Sequence, residues 1–228
     1  MGRPRKRAKT ESNGLDGDLR SRVLELTKEA FAKRGYIGAS LRDIADQAGV
    51  TAAALYYHFE KKEDLLREII FEGLERIAQD VVNALATSPR PPEKALEEIV
   101  RAHLRYNVEC SREAKIIIED SRFLNEVDYA TVREKQNAIL NVYRACITEL
   151  TSSGRIGPVD PTITAFNIVS IILGWYRWYR PDGALRQTEA FEYTVKFAMA
   201  AVLSVSPPPA TRTASKAPET TDCSGPAI

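Results

Sequence analysis

Apolar positions along the chain recur at helical spacing, and no strand-like alternation of any length is present. Val23, Leu24, Thr27, Ala30 and Phe31 form one stripe, and Gly35 sits where that helix should stop. Ser40, Leu41, Arg42 and Asp43 read as a capping box, with Ser40 as N-cap and Asp43 reaching back. They open a short helix whose inner face is Leu41, Ile44, Ala45 and Ala48. Gly49 breaks it, Val50 plugs the core, and Thr51 can cap a second short helix reaching about His58. A longer stripe starts after Lys61: Leu65, Leu66, Ile69, Ile70, Leu74, Ile77, Val81 and Leu85. The run TSPRPP at 87–92 ends it. Further helices are predicted at about 93–110, 112–124, 126–153, 161–179 and 188–204. The fold class is all-α, with a three-helix head over 18–62 and a helical body over 63–205. Residues 1–17 and 206–228 carry no apolar periodicity and read as a disordered basic arm and a disordered Pro/Ser/Thr-rich tail.

Composition narrows the function. No stretch of the 228 residues is apolar enough to span a membrane, and MGRPRKRAKT is followed by no apolar run of the kind a secretory signal needs. The chain is therefore expected to be soluble and cytoplasmic. Three scattered cysteines and two histidines offer neither a disulfide framework nor a metal-ligand spacing. The net charge of +1 conceals an asymmetry. Residues 1–62 hold 13 Lys/Arg against 8 Asp/Glu, whereas the remainder holds 19 against 23. A basic head on a mildly acidic body suits a polyanion partner at one end, although basic tails also serve solubility.

Two short helices joined at a glycine within a basic three-helix unit are what a helix-turn-helix needs. The second helix is slim enough for the major groove of double-stranded DNA. The stretch GYIGASLRDIADQAGVTAAALYYHFEKKEDLL, residues 35–66, resembles the DNA-binding head of the TetR/AcrR family of bacterial transcriptional regulators. The resemblance rests on Gly35-Tyr36, Ser40, the Ile44-Ala45…Ala48-Gly49-Val50 core, the run Leu55–Phe59, and Lys62 with Leu65-Leu66. It implies that Arg42 reaches a base or phosphate and that Ser40 meets phosphate at a helix N-terminus. It also implies that Thr51, Ala52, Ala53 and Tyr56 face the groove, that Tyr57 and His58 lie against the backbone, and that Lys62 binds phosphate. Plainer roles stand beside these: Ser40 and Thr51 as caps only, one tyrosine mainly packing, and His58 as a packing residue. Three consecutive alanines offer no hydrogen bonds, so readout would lean on methyl contacts, Arg42, Thr51 and DNA shape. The arm GRPRKR could enter the minor groove or remain a solvated tail.

The body shows no nucleophile set, no paired carboxylates and no phosphate loop, so no catalytic group, cofactor or metal is expected. Leu173–Gly183, in which large aromatics alternate with arginines, and Glu119–Leu124 resemble a subgroup of the family. Members of that subgroup control lipid, sterol or aromatic-acid breakdown and often respond to acyl-CoA thioesters. An acyl-CoA asks for an apolar cavity and for cationic side chains at its phosphates. The candidate walls are Ile117, Phe123, Ile139, Tyr143, Phe166, Ile172 and Trp175; the candidate anion contacts are Arg122, Arg177 and Arg180. Ordinary core packing, with the arginines paired to Glu119 or Asp182, explains the same residues.

One short recognition helix makes few contacts, so a two-fold dimer on a palindromic operator is expected. The family resemblance places the interface on the last two long helices, here about 161–179 and 188–204, which hold more apolar residues than one buried stripe needs. The expected function is a homodimeric repressor released by a small-molecule effector, an acyl-CoA being one candidate. The alternatives are a non-specific architectural DNA binder, which the bare recognition helix permits, and a helical enzyme or carrier.

Overall fold

The computed structural model describes residues 8–87 and 91–205. Among them every regular element is helical: α1 (Ala8–Gly38), α2 (Leu41–Ala48), α3 (Ala52–His58), α4 (Lys62–Thr87), α5 (Pro92–Glu109) and α6 (Ser111–Asp120). A 3-10 turn (Ser121–Phe123) follows, then α7 (Glu126–Ser152), α8 (Pro161–Leu173), a single turn α9 (Trp175–Trp178) and α10 (Gln187–Leu203).

The helix boundaries follow local chemistry. Gly35 adopts φ 72°, ψ 165°, a conformation open essentially to glycine alone, and kinks α1 so that Tyr36 turns back toward the body. Ser40 caps α2, its Oγ accepting from Asp43 N at 3.5 Å, and Gly49 ends α2 in the left-handed region with φ 70°. The reciprocal half of the expected capping box is absent. The Asp43 carboxylate instead accepts from Arg34 at 3.1 Å, tying α2 to the end of α1. Thr51 caps α3, its Oγ1 accepting from Ala54 N at 3.1 Å.

The three head helices close on Ile44, Ala45, Ala48 and Leu55, packed with Val23, Phe31, Leu65 and Leu66. The buried apolar residues then continue as one cluster down α4 and through α5–α8 to Val202 on α10. Head and body therefore share a core, and α4 belongs to both. The body packs α4 against α5, α6 and α7, with α8 and α10 outside α5 and α7. Gly73 marks a close approach of α4 to α5 and α6. A Cβ there would lie 2.5 Å from Tyr106 Oη and 2.7 Å from Ile117 Cδ1.

Three expectations change. Helix α1 begins at Ala8, so residues 8–17, expected as an unstructured arm, form its first turns; without an apolar stripe, that stretch left no period to read. The helix expected over 112–124 tightens into a 3-10 turn at Ser121, and the one expected over 161–179 is interrupted at Gly174. Residues 1–7, which hold the whole GRPRKR run, and the tail from 206 lie outside the described residues.

Candidate functional site

The exposed face of the head is built from α2 and α3. Arg42, Thr51, Ala52 and Ala53 are exposed and Ser40 is partly so. Tyr56 is 51% exposed and Tyr57 83%, so neither of the two mainly packs. His58 is half-buried, with its ring 5.2 Å from that of Tyr57 in an edge contact. Leu55 faces inward, which directs Ala52, Ala53, Tyr56 and Tyr57 outward from the short helix. The face is sterically smooth and ends in two phenol hydroxyls, a shape suited to a groove floor and its phosphate walls.

Lys62 departs from its expected role. Its ammonium turns inward, donating to the carbonyls of Tyr36 at 2.6 Å and Ala39 at 3.0 Å. It also stands 4.4 Å from the centroid of the Tyr36 ring. Burial lowers its pKa, and Asp120 nearby opposes that shift. The last carbonyls of α1 have no intrahelical donors beyond the Gly35 kink, and Lys62 supplies one. In this state it is a cap of α1 rather than a free phosphate contact.

A cavity of about 830 Å³ opens between the end of α1 and helices α4–α9, within the size range of small-molecule sites. Its apolar wall includes Leu74, Ile77, Ile117, Phe123, Ile139, Leu140 and Phe166. Arg34, Arg122 and Arg177, all exposed, border it. Arg122 lies 4.9 Å from the Phe123 centroid. Arg177 Nε donates to the Tyr176 hydroxyl at 2.8 Å, which donates to Glu119 at 3.0 Å. Two carboxylates also border the cavity. Glu119 accepts from Tyr176, and Asp120, whose pKa burial raises, accepts the backbone N–H of Tyr36.

The cavity thus gathers Arg122, Phe123 and Arg177, together with Ile117, Ile139 and Phe166. It does not gather the rest. Tyr143 is wholly buried behind the wall, where its hydroxyl meets His103. Trp175 is buried in a stack with Tyr179, centroids 4.7 Å apart. Arg180 is exposed and bonds the carbonyls of Arg177 and Tyr179, and Ile172 faces the core.

Sequence reasoning missed Arg34, Tyr36 and His103, which also border the cavity. Only the third dimension brings the end of α1 there, although a lone histidine inside the α5 stripe was a visible signal. Tyr36 stacks on Phe123 at 5.2 Å, so the cavity wall and the head touch through one ring pair. Lys115 donates to Ala32 O at 2.7 Å, and Lys28 pairs with Glu113 at 3.3 Å, fastening α6 along α1. Among the described residues no group of three or more His, Cys, Asp or Glu is placed to hold a metal. No helix among them is long and apolar enough to cross a membrane.

This geometry defines a helix-turn-helix DNA-binding protein whose body encloses a ligand-sized cavity. Comparison with known proteins agrees in both parts. Residues 23–69 match the model of bacterial regulatory proteins of the tetR family, and residues 89–202 match the Tetracyclin repressor-like C-terminal domain. The chain belongs to the TetR family of transcriptional regulators, which are not enzymes. It is 28% identical over 174 residues to the transcriptional repressor KstR2 of Mycolicibacterium smegmatis, covering 73% of this chain and 82% of that one. It is 27% identical over 186 residues to the transcriptional activator FasR of the same organism, covering 79% and 81%. The crystal structure of AibR in complex with isovaleryl coenzyme A and operator DNA matches with TM-score 0.72 and 26% identity, over 81% of this chain and 97% of that one.

Proposed function

We propose that the protein is a homodimeric repressor that binds a palindromic operator and is released by an anionic, apolar-bodied effector, with acyl-CoA thioesters as the leading class. The observation that carries this reading is the cavity itself, whose arginines stand at the surface and whose apolar wall reaches the Tyr36–Phe123 contact. An acyl group would fill the apolar part, and phosphates would meet Arg122, Arg177 and Arg34. The similarity to KstR2 and to AibR with its bound isovaleryl coenzyme A supports the same class.

On the DNA side, Arg42, Thr51, Ala52, Ala53, Tyr56, Tyr57 and His58 would form the contact face, with Ser40 at its edge. Two such heads on adjacent major grooves, about one helical turn apart, would give the specificity that one bare helix lacks. The surface available for dimerisation is the outer side of α8 and α10, where Ile163, Tyr193 and Phe197 are exposed. Release would proceed through α6. A ligand wedged between Ile117 and Phe123 displaces the 3-10 turn, and with it the Tyr36 end of α1. The effector need prefer the DNA-incompetent head spacing by only about 1–3 kcal/mol to give a useful response.

The test is fluorescence anisotropy with a labelled duplex from the protein's own upstream DNA, titrated with medium- and long-chain acyl-CoA thioesters. Free acids and coenzyme A alone are the controls. Release by thioesters and by neither control is the expected result, with Arg122→Gln and Arg177→Gln weakening it. Selective operator binding that ignores every thioester would refute the acyl-CoA assignment and leave the regulator standing. Equal affinity for any duplex, with a steep salt slope, would favour an architectural DNA binder instead.

A further inference from the structure

Three buried polar side chains border the cavity: Asp120 and Ser121 at the 3-10 turn, already engaged with the backbone of Tyr36 and Ile117, and a third that stands apart among isoleucines. His103, on α5, borders the cavity yet is only 3% exposed. Its Nδ1 lies 3.0 Å from the Tyr143 hydroxyl. Tyr143 is fully buried, and His103 is the one hydrogen-bond partner of its hydroxyl among the described residues. A buried O–H left without an acceptor is costly, so Tyr143 donates and Nδ1 accepts. The neutral ring then carries its proton on Nε2. Burial holds the His103 pKa down at about 4, so the ring is neutral at physiological pH. The hydrogen bond found for the ring among the described residues is the one to Tyr143, and Ile77, Ile117 and Ile139 line the same cavity as His103.

An oriented donor in apolar surroundings, with its tautomer fixed from behind, discriminates between ligands more sharply than the wall around it. We propose that His103 Nε2–H selects the buried end of the effector, favouring a molecule that carries a carbonyl oxygen there over one that ends in plain hydrocarbon. This rests on the cavity being the effector site, and it adds which effectors within that class are preferred. The arginines at the surface take the anionic head, the isoleucines take the apolar body, and His103 takes the distal oxygen.

Two measurements test it. In protein labelled with 15N-histidine there are two rings, His58 and His103, and a His58→Gln variant assigns them. Long-range 15N–1H spectra at neutral pH should show His103 as the neutral Nε2–H tautomer; a proton on Nδ1 overturns the proposal. The second measurement compares dodecanoyl-CoA with dodecanoyl thioesters bearing a keto group at a near, middle or penultimate carbon, alongside the matching free carboxylates. At least one keto probe should bind about tenfold tighter than its parent, the value of one well-placed buried hydrogen bond. His103→Leu should erase that preference while still binding the parent. If His103→Leu fails to fold, Tyr143→Phe frees Nδ1 and should let a hydroxy analogue bind as well as the ketone.

Keto and parent thioesters that bind the wild type equally refute the selection and leave the acyl-CoA reading intact. Keto acids preferred over parent acids, with no thioester bound, refute the acyl-CoA reading and leave the selection intact. Failure of every probe to bind refutes both.

Discussion

Lys62→Met separates two roles that the sequence could not tell apart. Methionine keeps the length and most of the stem but removes the ammonium. The structure places that ammonium on two carbonyls at 2.6 and 3.0 Å and over the Tyr36 ring at 4.4 Å. Hydrogen bonds made by a charged group contribute about 1.5–3 kcal/mol, and a partly exposed cation–π contact about 0.5–1 kcal/mol. Desolvation of the ammonium, visible in its lowered pKa, offsets part of this. The net loss should be about 2 kcal/mol, or roughly 4–8 °C in Tm for a chain of this size. If Lys62 instead bound phosphate, the melt would hardly move. The dependence of log K for operator binding on log salt would then become shallower by about 2 per dimer, one contact per head. Thermal melts of the free protein and anisotropy titrations at several salt concentrations read both quantities. An unchanged melt with a shallower salt slope would refute the capping role.

Three further predictions follow from named contacts. Gly73→Ala should destabilise by about 1–3 kcal/mol in urea unfolding, because the new methyl meets the buried Tyr106 hydroxyl and the Ile117 side chain; wild-type stability would mean that α4 can shift at no cost. The folded pKa of His103, about 4, lies below its ordinary 6.5, so below that value the unfolded chain binds more protons. Stability is then complete above pH 6.5 and falls as the pH drops toward 4, by about 2 kcal/mol at pH 5, and His103→Leu should flatten that part of the profile. Tyr193→Glu with Phe197→Glu alters two side chains that are 70% and 65% exposed, so the fold should survive. Sedimentation should then show a monomer with operator affinity lowered by at least about 100-fold; a variant that remains dimeric places the interface elsewhere.

Most of the head was legible because its determinants are local. A cap, a glycine in the left-handed region and an apolar triplet each act within a few residues, and Ser40, Gly49, Thr51 and Ile44-Ala45 sit where that logic puts them. Even there the Asp43 side chain followed a partner from another helix, Arg34, over its own backbone. The candidate cavity was about half legible. Phe123, Ile117 and Ile139 could be chosen as apolar and Arg122 as cationic, but helical periodicity cannot tell a residue facing a void from one facing another side chain. Tyr143 and Trp175 fit the pattern equally well and turned out to be packing.

The sequence by itself determined an all-helical chain, the helix-turn-helix and its family, because stripe spacing, caps and glycine conformations depend on short-range sterics and hydrogen bonding. Only the tertiary structure decided where the charges and polar groups are used. It turned Lys62 inward onto α1, brought Arg34 and Tyr36 to the cavity, and set Tyr143 behind His103. Each of these depends on contacts between residues far apart in the chain, whose geometry is fixed by how helices pack rather than by what any one helix contains.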